Sequence, residues 1–536
     1  MSPVTIDSSV LPLAQDQWRP AFNPWLIALT VTLATFMEVL DTSIANVALP
    51  HISGSLSAGQ DESTWVLTSY LVANAIILPM SGWFSSIIGR KRFYMACVAL
   101  FTMSSLLCGL APSLGWLIVF RILQGLGGGG LQPSEQAILA DTFEPSKRGM
   151  AFALYGIAVV SAPAIGPTLG GWITDNFDWR WIFFINIPVG LISIFLTSQV
   201  VEDPPHLKES QQSKRGNIDF IGFALIALGL GALQIILDKG EREDWFGSSF
   251  IVGFTIASVV SIVAAIIWEL RHKNPIVDLR LLRERNFAMA NVMMFALGFV
   301  LLGSTVLIPL MLQTLMGYTA TEAGMALSPG GFVIILILPF VGMALSRGVQ
   351  AKWLIMIGLT ISAIGLIWMS HFSLTISFKH AVLARIVQAS GIAFLFVPIN
   401  TIAYAFLPRD KNNDASGLVN LSRNIGASVG IAFATTLVAR RAQVHQNVLS
   451  SHLTTLNPQY VHTLGSLKER LVEHGMSLVD AAQHAPAMIY QMIQQQASML
   501  AYVDVYRVMA IVFLAVIPAA MLLKKTKPGD AAIGAH

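Results

Sequence analysis

The sequence predicts an all-α integral membrane protein. Three observations carry that expectation. Only 12% of the 536 residues are charged and 54% are hydrophobic, whereas a soluble domain carries about 25% charge. Fourteen apolar stretches each approach the roughly 20 residues a helix needs to cross a hydrocarbon core of about 30 Å. Basic residues also alternate between the loops. With the N-terminus taken as cytoplasmic, twenty-one Lys and Arg fall in loops on that side and eight in loops on the other. That asymmetry orients helical membrane proteins, and it predicts an even number of spans with both termini cytoplasmic.

The spans are expected near 25–49, 63–86, 93–112, 115–137, 150–173 and 181–201, then 217–237 and 249–269, then 289–314, 321–346, 353–370, 381–405, 416–440 and 505–523. Asp7, Asp16 and Arg19 interrupt the first 24 residues, so these do not form a secretory signal and the first span is expected to stay. Two connections are long. Residues 202–216 form a polar, basic linker. Residues 441–503 form an outer loop rich in Gln, His and Met, broken at Gly475 and Pro486; after Pro486 a helix is expected to project from the membrane and run into the last span. Cys97 and Cys108 share one apolar segment and give neither a disulfide framework nor a metal spacing. The five histidines of the outer loop are too scattered to form a ligand set.

An internal repeat organises the chain. "RILQGLG" (Arg121 to Gly127) recurs as "RIVQASG" (Arg385 to Gly391), each early in a span. The chain therefore divides into a first six-helix half (1–201), a linker with two inserted helices (202–288), and a second six-helix half (289–536). Repeated halves are a hallmark of secondary transporters.

Several motifs suggest what the spans do. "MEVLDTSIANVALP" (Met37 to Pro50) places Glu38 and Asp41 on about one face of a helix. "LIVFRILQGLGGGG" (Leu117 to Gly130) puts Arg121 inside a span, where an unpaired charge is costly. Asp41 or Glu38 is its natural partner. The four consecutive glycines allow close backbone approach or a bend. "GWFSSIIGRKR" (Gly82 to Arg92) is a tight basic turn in which Gly82, Gly89, Arg90 and Lys91 stand out; by itself it could be a plain anchor. "GIAVVSAPAIGPTLGG" (Gly156 to Gly171) combines Gly156, Gly166, Gly170 and Gly171 with kinks at Pro163 and Pro167, a plausible pivot. No phosphate-loop motif occurs, which argues against an ATP-driven pump. The one G-x-S-x-G string, Gly426 to Gly430, lies inside a span rather than on a nucleophile elbow, and no enzyme is expected.

Together these strings resemble the major facilitator superfamily, and within it the fourteen-helix drug:proton antiporter family of EmrB-type multidrug efflux proteins. "LDTSIANVALP" resembles that family's first-helix motif, "RILQGLGGGG" its fourth-helix motif, and "GPTLGG" the antiporter motif; "WRWIFFINIPVG" and "LDKGEREDW" are also of that pattern. The likeness covers about residues 25 to 525. Two of the motifs depart from it. Ser86 and Ile87 stand where the superfamily's loop motif has an acid and a base, and Ala162 stands where the antiporter motif has glycine.

The resemblance implies a major facilitator fold and proton-driven export of hydrophobic small molecules, cationic ones among them, by alternating access. Asp41 and Arg121 would form the proton-coupling pair, since burial favours a neutral acid and a neighbouring Arg a charged one. Glu38 would be a second titrating site or the group that meets cationic substrates. H+ would be the coupling ion, with no cofactor, no metal and no nucleic-acid partner. An EmrA-like periplasmic adaptor and a TolC-like outer-membrane channel would be partners in a bacterial inner membrane, and the loop 441–503 would be the docking surface. Polyspecific cavities favour aromatic and Met surface that can repack. On that ground Phe36, Tyr155, Phe295, Met311 and Gln313 are candidate substrate contacts, with Asn424 and Arg423 lining the second half. Export of one metabolite or siderophore, or a non-transporting sensor on the same fold, are the alternatives.

Overall fold

The computed structural model describes residues 20–204 and 219–524. Most of the expected linker 202–216, together with Arg19, Lys525 and Lys527, lies outside the described residues. All regular structure among the described residues is helical. The first group comprises α1 (Pro24–Ser55), the one-turn α2 (Gln60–Ser63), α3 (Trp65–Ile88), α4 (Arg90–Gly109), α5 (Leu114–Gly128), α6 (Leu131–Thr142), α7 (Arg148–Asn176), the one-turn α8 (Trp181–Phe184) and α9 (Asn186–Val200). Two helices follow, α10 (Phe220–Lys239) and α11 (Ser249–Arg271). The second group comprises α12 (Arg285–Met316), α13 (Ala320–Ser346), α14 (Ala351–Met369), α15 (Phe378–Ala403), α16 (Asn412–Ser450), α17 (Pro458–Glu473) and α18 (Leu478–Met521).

Local chemistry explains where these helices begin and turn. Pro24 sits in the first turn of α1, where its missing N–H costs nothing, and the Asn23 side chain accepts from the Trp25 N–H. Thr319 and Glu322 cap α13 reciprocally. Gly89, between α3 and α4, has φ +95°, a conformation open to glycine at little cost. The glycine run acts as predicted: α5 ends at Gly128, α6 starts at Leu131, and Gly125 and Gly129 lie so close to the backbone of Tyr70 and Asn74 on α3 that no side chain would fit. The kink also forms, and α7 bends by 41° between Pro163 and Ile165.

Among the described residues twelve helical segments are long and apolar enough to cross a membrane, with α5–α6 and α8–α9 each taken as one, and thirteen with bent α7. The protein is therefore multi-pass. The remaining expected span, 416–440, lies inside the 39-residue α16, where Asn420, Arg423 and Asn424 dilute the apolar content. Pro486 does not break the chain as expected. It lies inside the 44-residue α18, which starts at Leu478, after Gly475. The carbonyl that Pro486 leaves unpaired belongs to exposed Ala482, where water can satisfy it. At about 1.5 Å per residue, α16 and α18 both outrun the membrane. Their projecting ends are tied by Arg441 and His445 to Asp504 (2.7 and 2.8 Å) and by Gln446 to the Tyr490 hydroxyl (2.6 Å).

Within the first group α1 packs on α7 and α9, and α5 on α3 and α4; within the second, α12 packs on α16, and α14 on α15 and α18. The groups meet along α7 with α13 and along α3 and α6 with α16. Many of these contacts lie at the end bearing Arg90–Arg92 and Lys147–Arg148, hereafter the basic end. There Arg90 pairs with Asp141 at 2.6 Å, and Asn412 donates to the other oxygen of Asp141 at 2.5 Å. A Cβ on Gly82 would come within 2.9 Å of the Asn413 carbonyl. The Lys91 ammonium donates to the Ser198 carbonyl. Toward the far end, α10 lies between the groups. Gly231 faces Val72 and Ile76 of α3, Asp238 bonds Thr68, and Gln234 accepts from Ser428 of α16 at 2.9 Å.

Candidate functional site

The site is built on α1, whose polar side chains recur every three residues at Thr32, Thr35, Glu38 and Asp41. At 100° per residue, each three-residue step falls about 60° short of a full turn, so the stripe winds half-way round the helix from Thr32 to Asp41. All four are buried. Asp41 and Arg121 meet at 2.7 Å with almost no exposed surface. The other oxygen of Asp41 accepts from Gln124 Nε2 at 3.0 Å and Asn186 Nδ2 at 2.6 Å. Arg121 also donates to the Val66 carbonyl and to Gln124 Oε1, and its guanidinium stacks on the Tyr70 ring at 4.3 Å. Four helices thus converge on one carboxylate. Burying such a pair is tolerable only when its lone pairs and N–H groups are largely matched; here Arg121 Nη2 alone of the guanidinium nitrogens is without a hydrogen-bond partner.

Glu38 sits one turn away but does not pair with Arg121. One oxygen accepts from the Tyr70 hydroxyl at 3.1 Å and Asn74 at 3.3 Å, the other from Gln132 Nε2 at 2.7 Å. The carbonyl end of Gln132 accepts from Tyr155 at 3.1 Å and from the Arg423 guanidinium of α16. Glu38 is therefore linked to the second half through one glutamine. A parallel bridge lies one turn further along α6, where Gln136 accepts from Tyr404 at 3.0 Å and Asn420 at 2.8 Å.

Of the expected substrate contacts, Tyr155 joins this network, its ring 5.5 Å from that of Phe396. Phe36, Phe295 and Asn424 are half-buried and Gln313 is exposed. Met311 is 0% exposed within the apolar core and offers no surface in this arrangement. The motif of α7 divides its work. Gly166 and Gly170 face Ser43 and Ile44 of α1, Gly156 faces Leu338 and Phe396 of the other half, Pro167 lies beside Gly324, and Gly171 opens to free space.

The sequence reading passed over Gln124, Gln132, Glu135, Gln136 and Asn186. Gln124 had a signal, since Arg-x-x-Gln recurs at Arg385 and Gln388. Glu135 had one too, as an acid inside the expected span 115–137. In the second half, Arg385 donates to Ser304 at 3.2 Å, Thr305 at 2.9 Å and Gln388 at 2.5 Å, and among the described residues no carboxylate pairs with it.

Comparison with known proteins agrees with this architecture. Residues 31–431 match the family model of the Major Facilitator Superfamily. The chain is 40% identical over 434 residues to the multidrug export protein EmrB of Haemophilus influenzae, covering 81% of this chain and 84% of that one. It is 36% identical over 500 residues to the fatty acid resistance protein FarB of Neisseria gonorrhoeae, covering 93% and 96%. A solved structure of the proton:xylose symporter XylE, 14% identical, superposes with a TM-score of 0.58 over 94% of this chain and 97% of that one, a likeness of fold. The chain belongs to the major facilitator superfamily, and within it to the EmrB type.

Proposed function

We propose that the protein is a proton-driven exporter of hydrophobic small molecules, lipophilic cations among them, acting by alternating access. The observation that carries this is the Asp41–Arg121 pair, sealed in the membrane core and held by Gln124 and Asn186. An intramembrane acid balanced by an Arg is a group that can take and give up a proton. The relatives named for multidrug export support the substrate class. In this reading the membrane is a bacterial inner membrane and the basic end is cytoplasmic, as are both termini. The joined contacts around Arg90, Asp141 and Asn412 then shut the cytoplasmic side. The projecting ends of α16 and α18, with α17, dock an EmrA-like periplasmic adaptor that leads to a TolC-like outer-membrane channel. A second reading, export of a single acidic compound such as a metabolite or siderophore, is favoured by Arg385, a buried cation with no acid of its own.

The test is substrate-linked proton movement in liposomes loaded with a pH dye. A pH gradient is imposed and tetraphenylphosphonium is added outside. Wild type should collapse the gradient, Asp41→Asn should not, and Glu38→Gln should shift the substrate preference. A wild type that stays silent both alone and with a reconstituted adaptor would sink the antiport reading.

A further inference from the structure

One buried acid has no place in the scheme so far. Glu135 of α6 is 0% exposed. Its Oε1 accepts from the Thr32 hydroxyl at 2.6 Å, while its Oε2 is buried with no partner. No Arg or Lys among the described residues pairs with it. The charged and titratable groups facing it are Glu38 on α1, Tyr94 on α4 and Tyr155 on α7, none of them cationic. An ionised carboxylate in such surroundings, bare on one side, costs several kcal/mol. A proton on the bare oxygen removes that cost.

Its position gives that proton somewhere to go. The stripe on α1 runs Thr32, Thr35, Glu38, Asp41, a rise of about 14 Å along the helix. Each end is hooked to the α5–α6 rod: Thr32 by Glu135, Glu38 by Gln132, Asp41 by Arg121 and Gln124. Asp41 lies toward the far end of α1, and Thr32 lies two turns from Pro24 toward the basic end. Thr35, three residues before Glu38 on α1, carries a buried hydroxyl without a partner, and Glu135 lies near enough to feel both Thr35 and Glu38. A hydroxyl can accept one proton and release another, so it can bridge two carboxyls without changing its own charge.

Resting on the antiport reading, we infer that Glu135 is a second proton-carrying residue, which exchanges protons between the basic end and Glu38 by way of Thr35. In the step, the O–H bond of Glu135 breaks as a proton passes to the Thr35 oxygen. The Thr35 hydroxyl releases its own proton to Glu38. Glu135 is left as a carboxylate and takes a new proton from the basic side.

Two measurements on the full chain in lipid test this. The first is infrared titration of the carbonyl stretch of protonated carboxyl groups, which needs no turnover. Wild type should show a component that Glu135→Gln lacks, because the glutamine copies the neutral acid in shape and can still accept from Thr32. Identical wild-type and Glu135→Gln spectra across the pH range would overturn the inference. The second is tetraphenylphosphonium-driven proton movement. Glu135→Gln and Thr35→Val should slow it at least about tenfold, as loss of a proton-transfer group does, and flatten its pH profile, with Glu135→Asp restoring part of the rate. Wild-type rates and pH profile in Glu135→Gln would likewise overturn it. If wild type moves no protons but the infrared component is present, the antiport reading fails while Glu135 still holds an exchangeable proton.

Discussion

In the first half Arg121 and Gln124 face Asp41; in the second, Arg385 and Gln388 face Ser304. The donors are the same, drawn from the same repeated string, and the geometry is similar. Only the acceptor differs, a carboxylate on α1 against a hydroxyl on α12. That single difference separates a compensated ion pair from a buried cation held by dipoles alone. Duplication supplied two scaffolds, and the acid makes one of them a candidate for energy coupling. The half without the acid is free to serve structure or an anionic cargo.

Substitutions can break or sharpen this contrast. The largest effect is expected from Arg121→Gln, which leaves Asp41 buried beside no cation. Losing one partner of a buried pair costs roughly 3–5 kcal/mol, so thermal unfolding in detergent should show a large loss, and Asp41→Asn in the same chain should recover much of it. A smaller loss is expected from Arg385→Gln. It removes hydrogen bonds to neutral groups, about 1–3 kcal/mol, and strands no charge. Unfolding losses of equal size in Arg121→Gln and Arg385→Gln would erase the distinction between the halves. The smallest effect belongs to Ser304→Asp, which supplies the missing acid to Arg385. Its thermal stability should hold or rise slightly, and combined with Asp41→Ser it should not restore substrate-driven proton movement, because among the described residues no asparagine bonds Ser304 and Leu301 stands three residues before it, where Glu38 precedes Asp41. Recovery of coupling in that double variant would show that the acid alone, not its surroundings, defines the coupling half.

Much of this was legible in the residues. The fold followed from span length and loop charge, and Asp41 was matched to Arg121 because a buried arginine demands an acid. Glu38 was the other acid offered to Arg121. Its spacing placed it near Arg121, yet it turns to Tyr70, Asn74 and Gln132, because residues three apart on a helix diverge by about 60° in direction and α3 and α6 approach from that side. Gln132, Gln136 and Asn186 were invisible because an uncharged amide in an apolar run has no signal until its neighbours in space are known. The long α18 was read too short because Pro486 is a breaker only where the carbonyl it frees cannot reach water. Glu135 was overlooked though it lay within an expected span; no cation in the sequence called for it.

The placement of α10 has a consequence for how cargo arrives. A solute dissolved in the lipid reaches the interior of such a bundle sideways, through a seam where the halves part. On the side of α3 and α16 that seam is roofed toward the far end by α10, which holds α3 through Asp238 and α16 through Gln234. In the proposed export, a lipid-borne molecule in that leaflet would be left the opposite seam, between α7 and α13, whose helices carry Pro163, Pro167, Pro329 and Pro339. The two extra helices make the molecule one-sided toward the bilayer, with one seam between the groups covered by α10 and the other, where α7 packs on α13, without such a cover.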